Sequence, residues 1–101
     1  MVTFIETNER KIPIRFGMNA LREFSKMTGT TLNELEQLGD NMTLDAAITL
    51  MYCGFKDGAR KEKMSFRYGV DDVADWIDDD EQLIEKAFDV FTDQFGGEEK
   101  K

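Results

Sequence analysis

Residues 71 to 81, Asp-Asp-Val-Ala-Asp-Trp-Ile-Asp-Asp-Asp-Glu, concentrate more carboxylates than any other stretch of this chain. Carboxylate oxygens are the ligands that calcium and magnesium prefer, so a hard-cation site is the first chemistry to weigh. The run lacks the alternating acids, central glycine and terminal glutamate of an EF-hand loop. Helix capping with a solvated acidic face explains the same residues, and a docking surface for a basic partner is a third reading. Histidine is absent and Cys53 is the one cysteine. Zinc therefore lacks ligands, and neither a Ser-His nor a Cys-His nucleophilic pair can be assembled. A non-enzymatic protein without a cofactor is expected, and an enzyme would have to rest on acids such as Asp75 and Asp78. Phe88, Phe91 and Phe95 recur at helical spacing. With Trp76 and Ile77 they are candidates for a partner-binding ridge, and the same spacing also suits core residues.

These groups need elements to hold them. Val2 to Ile5 and Ile12 to Phe16 are β-prone runs separated by the turn-forming pair Thr7-Asn8, which predicts a hairpin. Pro13 has no N–H, so the second strand is expected at an edge open to pairing with another chain. The period then changes from two to the helical one at Ala20, Leu21, Phe24 and Met27, with Asn19 as the expected cap and Gly29 as the stop. Thr31 and Glu34 have the capping-box spacing before Leu32, Leu35 and Leu38, and Gly39 ends that short helix. Thr43 should cap a longer helix carrying Leu44, Ala47, Ile48, Met51, Tyr52 and Phe55, in which Gly54 either permits close approach of another backbone, the favoured reading, or marks fraying toward Gly58, and Cys53 packs as a buried thiol. Residues 56 to 69 read as a connecting loop with a brief extended stretch at Met64, Phe66 and Tyr68. Asp71 should cap a helix of one or two turns, with Val70 as its hydrophobic staple. A last helix starting near Asp79 or Asp80 carries Leu83, Ile84, Ala87, Phe88, Phe91 and Phe95.

The expected fold is α+β and mostly helical: a hairpin over residues 1–16, then four to five short helices over 18–97 around one core. Residues 98–101 are expected to form a charged tail. A chain of 101 residues suits a single domain. No apolar run is long enough to cross a bilayer, and residues 1–9 do not resemble a signal peptide, so a cytoplasmic location is expected. The net charge of −8 repels phosphates and disfavours nucleic acid as a partner.

The Pro-Ile-Arg-Phe strand, the following Met18-Asn19-Ala20-Leu21-Arg22-Glu23-Phe24, then Met27-Thr28-Gly29-Thr30-Thr31-Leu32 and Leu50-Met51-Tyr52-Cys53-Gly54-Phe55-Lys56 together resemble the tail assembly chaperones of long-tailed, siphovirus-type bacteriophages and prophages. The likeness covers about nine tenths of the chain. It implies a cytoplasmic, self-associating chaperone that binds the tape measure protein, keeps it soluble and helps recruit tail tube subunits. It marks Asn19, Leu21, Phe24, Gly29, Gly54 and Phe55, all as structural residues. In that family a longer form often arises by translational frameshifting. An acidic interaction module that mimics nucleic acid toward a basic host protein is the alternative. Its support is the net charge and the acids at 71–81.

Overall fold

The first two strands reach further toward their turn than the β-prone runs suggest. In the computed structural model, which describes residues 2–7, 10–35 and 42–94, β1 (Thr3–Thr7) and β2 (Arg10–Ile14) pair antiparallel, with Thr3 opposite Ile14 and Thr7 opposite Arg10. Glu6 and Lys11, expected in the connection, face each other across the ladder, an opposite-charge pair that suits cross-strand pairing. Thr7 closes β1 and is buried. Its hydroxyl is used elsewhere in the fold, so it is not a turn residue.

The hairpin is covered by α3 (Leu44–Lys61), the longest helix. Arg15 N–H donates to the Gly54 carbonyl at 3.0 Å. A Cβ on Gly54 would come within 2.6 Å of the Phe16 ring, and one on Gly58 within 2.6 Å of the Pro13 carbonyl carbon and the Ile14 nitrogen. The close approach expected at Gly54 is therefore present, and Gly58 extends it one turn further. Pro13 is buried, so the strand does not present it to another chain as an open edge. Helix α3 also runs to Lys61, through residues read from the sequence as loop. The physical reason is Asp57, which is buried on the strand-facing side. It accepts from Arg15 Nη1 at 3.0 Å and from Arg60 Nη2 at 2.8 Å, so the polar stretch is anchored by charge where apolar spacing fails.

Helix α1 (Met18–Thr28) begins from Gly17, not from Asn19. Asn19 is exposed inside the first turn, and its side-chain oxygen accepts from Arg22. Gly29 ends the helix in the left-handed region at φ 76°, with its N–H donating to Ser25 O. The box before α2 (Leu32–Leu35) forms in both directions: Thr31 N–H reaches Glu34 at 2.8 Å and Glu34 N–H reaches the Thr31 hydroxyl at 3.3 Å. The Leu38 and Gly39 expectations lie outside the described residues. Thr43 caps α3 through Ala46 N–H at 3.1 Å. Helix α4 (Val70–Asp79) runs ten residues from Gly69. Asp72, rather than Asp71, accepts the Gly69 N–H, at 2.7 Å, and Val70 is already the first helical residue.

One hydrophobic cluster joins Ile5, Ile12 and Ile14 of the hairpin to Phe24 of α1, Leu50 and Phe55 of α3, Val73 of α4 and Leu83 of α5 (Leu83–Gln94). The first and last elements are also joined by polar contacts. Phe16 N–H donates to Gln94 Oε1 at 2.9 Å, and Gln94 Nε2 donates to the Thr3 hydroxyl at 3.1 Å. Asp80 sits at the turn into α5. It accepts from the Thr7 hydroxyl at 2.7 Å and from Gln82 N–H at 3.1 Å. Lys86 lies 3.5 Å from the same carboxylate and donates to the Glu6 carbonyl at 2.9 Å.

Two outcomes follow from this packing. Gly58→Ala should destabilise the domain by about 2 kcal/mol, because the added methyl meets backbone that cannot step aside. Alanine's higher helix propensity offsets only part of that, and a lower urea midpoint checks it. The Thr7 hydrogen bond, helped by Gln82 and Lys86 and opposed by burial, holds Asp80 below its ordinary value of 3.8. A carboxylate depressed in the folded state stabilises above its unfolded pKa and loses that contribution as pH falls through the folded one. Asp80→Ala should therefore lower Tm at neutral pH, and its gap to the parent protein should close below about pH 4.

Candidate interaction surface

Trp76 belongs to a chain of aromatic rings gathered from α3, α4 and the 64–69 connection. Its ring meets Phe55 edge-on at 5.6 Å and Tyr68 edge-on at 4.9 Å. Tyr68 in turn meets Phe66 at 5.4 Å, and Phe66 meets Tyr52 at 5.8 Å. Phe55 is fully buried, Trp76 is half-buried and Tyr68 is exposed, so the row climbs from core to surface. On the hairpin side, the Arg10 guanidinium lies 5.7 Å from the Trp76 ring centroid, within cation–π range. A recess of about 150 Å³ opens beside this row, with Pro13, Met64, Phe66 and Trp76 on its walls and Arg10 and Lys11 at its margin.

The connection holds its place through the end of α3. Met64 N–H donates to Ala59 O at 2.9 Å and Lys63 N–H to Arg60 O at 3.1 Å, the paired bonds of a Schellman motif. Met64 and Ala59, the two positions that such a motif usually brings into apolar contact, both line the recess. Lys63 occupies the position that glycine favours, and it adopts φ 60°.

The candidate residues from the sequence are placed unequally. Trp76 lies in this surface. Ile77 and Phe88 are half-buried and pack against the core. Phe91 is buried, with its ring edge-on to Phe16 at 5.2 Å and 6.4 Å from Phe88. Phe95 lies outside the described residues. Leu21, Phe24, Gly54 and Phe55 are buried, and Gly29 ends α1. Arg10, Phe66 and Tyr68 were not singled out as site residues. The alternation of Met64, Phe66 and Tyr68 was visible, but nothing in it pointed toward Trp76.

The acids of α4 divide by role. Asp72 binds the helix start, while Asp71, Asp75, Asp78 and Asp79 are exposed at spacings of three and four along one side. Among the described residues no three His, Cys, Asp or Glu side chains are grouped to hold a metal ion. A second cleft, of about 190 Å³, lies between α1 and α3 beside Arg22, Glu23, Lys56 and Asp57. Cys53 borders it, 3.9 Å from Met27 Sδ. Burial, reinforced by Glu23 and opposed by Lys56, pushes its thiol up to about 12, which leaves it protonated and a poor nucleophile at neutral pH.

Among the described residues, no helix is long and apolar enough to cross a membrane. The fold and surface define a small α+β domain with an aromatic, cation-flanked recess. Comparison with protein-family models, with curated proteins and with solved structures finds no match.

Lys63→Gly should stabilise the domain by about 1 kcal/mol by removing a left-handed non-glycine residue. A higher Tm with unchanged far-UV circular dichroism is the expected reading.

Proposed function

We propose that this chain is a non-enzymatic tail assembly chaperone of a long-tailed phage or prophage. It binds the tape measure protein in the host cytoplasm, keeps it soluble and helps recruit tail tube subunits, acting as a homo-oligomer. The observation that carries the reading is the exposure of large apolar side chains on an acidic domain. Met18, Leu32 and Leu44 are 75%, 78% and 66% exposed, in a chain of net charge −8. Exposed apolar groups can cover an aggregation-prone helix, and like charge keeps the resulting complexes apart. The family-like words also support it, since they coincide with the hairpin-to-α1 junction and with the stretch of α3 that meets the hairpin.

The exposed row Asp71, Asp75, Asp78 and Asp79 favours a second reading, in which α4 presents its acids to a basic host protein.

Co-expression with the tape measure protein that this reading expects to be encoded beside the chain separates the two. The chaperone reading expects that protein in the soluble fraction and in a complex that co-purifies. Leu32→Glu combined with Leu44→Glu should weaken the complex while the domain stays folded, because both positions are exposed. Phe91→Glu would report on folding instead, since Phe91 packs on Phe16. An insoluble tape measure protein with no recoverable complex would overturn the reading.

A further inference from the structure

From Val70 to Gln94 the chain has no glycine and no proline, so the break between α4 and α5 is not specified by the residue types that make it. It is held by Asp80, whose backbone is extended at φ −143° and ψ 96°. Asp80 Oδ2 accepts from the Thr7 hydroxyl at 2.7 Å and Oδ1 from Gln82 N–H at 3.1 Å, while the Asp80 carbonyl accepts from Leu83 N–H at 3.0 Å. In an unbroken helix those two amides would bond the Asp78 and Asp79 carbonyls, so the break reroutes two bonds and loses neither. Of the partners of this carboxylate, Gln82 and Lys86 belong to the segment itself. Thr7 comes from outside it, 73 positions away.

The apolar spacing runs straight through the break. Counted in heptads, Val73, Trp76 and Ile77 are followed by Asp80, Leu83 and Ile84 and then by Ala87, Val90 and Phe91, with Asp80 as the one polar member. A single helix over 70–94 would thus carry one continuous apolar stripe on a rod about 37 Å long. In the closed fold α5 lies antiparallel along β1, from Thr7 at its Asp80 end to Thr3 at its Gln94 end. Leu83, Ala87 and Phe91 are buried beneath it. The Arg15–Asp57 pair and the Arg15 N–H bond to Gly54 hold the hairpin on α3 without any help from α5.

We propose that residues 80–82 are a two-state hinge through which α5 is exchanged between two copies of this chain. Closed, with Thr7 on Asp80, α5 covers its own β1. Straight, α4 and α5 join and carry Leu83, Ala87 and Phe91 to the β1 face of a second copy, which returns its own α5 in kind. The occupant follows from the closed fold, where α5 already fills that face and its Phe91 ring meets Phe16. A second copy supplies the identical side chains, so a two-fold exchange keeps every contact of α5 with the hairpin and changes only the hinge. Asp78 to Glu81 oppose the straight form, because aspartate is a poor helix former and like charges meet at Asp75–Asp79 and Glu81–Glu85. The monomer is accordingly the resting state, and exchange grows with concentration and with loss of the Thr7 bond. The exchange supplies the self-association that the tail-assembly reading expects and rests on that part of it alone; it is tested with this chain only, so its failure leaves tape measure binding untouched.

Two variants move the hinge in opposite directions. Thr7→Val removes the outside bond while nearly keeping the side-chain shape. Glu81→Pro blocks the straight helix, whereas the closed turn accepts it, because Asp80 is already extended and proline suits the second position of the turn that Leu83 N–H closes. Sedimentation equilibrium reads the dimer. Isotope-filtered NMR on equal amounts of labelled and unlabelled chain, unfolded together and refolded at high concentration, shows whether Phe16 and Phe91, 5.2 Å apart in the closed fold, meet between chains. The parent protein is expected to dimerise with that contact between chains, Thr7→Val to dimerise at least tenfold more tightly, and Glu81→Pro to remain a folded monomer. If circular dichroism shows that either variant fails to fold, the parent's own ring contact decides. The proposal is overturned by a parent protein that stays monomeric at every concentration, or by a dimer in which Phe16 and Phe91 meet only within one chain or not at all. A folded Thr7→Val that associates no more tightly than the parent, or a Glu81→Pro that associates as tightly, overturns it too.

Discussion

The approach of α3 to the hairpin backbone is the constraint on which the rest of the domain depends. Gly54 and Gly58 are one helical turn apart and therefore share a face, and both sit where a methyl group would collide with Pro13, Ile14 or Phe16. Removing two side chains lets helix and strand come close enough for Arg15 to bond the Gly54 carbonyl directly. Once that distance is set, Phe16 is held where the Phe91 ring can meet it, and α5 closes over the first strand. Small residues thus do in this core what a bulky pair does in others. They specify position by exclusion.

Two carboxylates convert that position into a unique register. Asp57 draws Arg15 from the strand end and Arg60 from its own helix to one buried point, so sliding the helix along the hairpin would separate charges out of water. Asp80 acts at the opposite end, joining Thr7 of β1 and Lys86 of α5. The acidic excess of the chain is divided accordingly. A few carboxylates fasten elements, while the α4 row remains in solvent.

Much of this was legible in the residues. Period-two alternation gave the hairpin, and the capping pairs Thr31-Glu34 and Thr43-Ala46 marked two helix starts, because those signals are local and their partners lie within a turn. Failures fell where the partner is distant. Lys56 to Lys61 looked like loop because their apolar spacing lapses, and the compensating Arg15–Asp57 pair spans 42 positions. Asn19 looked like a cap because its type is right, yet Gly17 was already extended after a strand end held by Gln94. Pro13 looked like an exposed edge because a proline reports on its own missing N–H and says nothing of the helix laid over it. The recess was illegible for the same reason: it is assembled from Arg10, Met64 to Tyr68 and Trp76, three segments that only tertiary packing unites.

Gln94 bonding to Phe16 across 78 positions has a bearing on biosynthesis. At a translation rate of roughly 5 to 20 residues per second, the hairpin emerges about 4 to 16 s before its last partner exists. During that interval Phe16 and the β1 face lack the helix that covers them. The nascent chain therefore cannot complete the packing of Phe16 and β1 until α5 has been made.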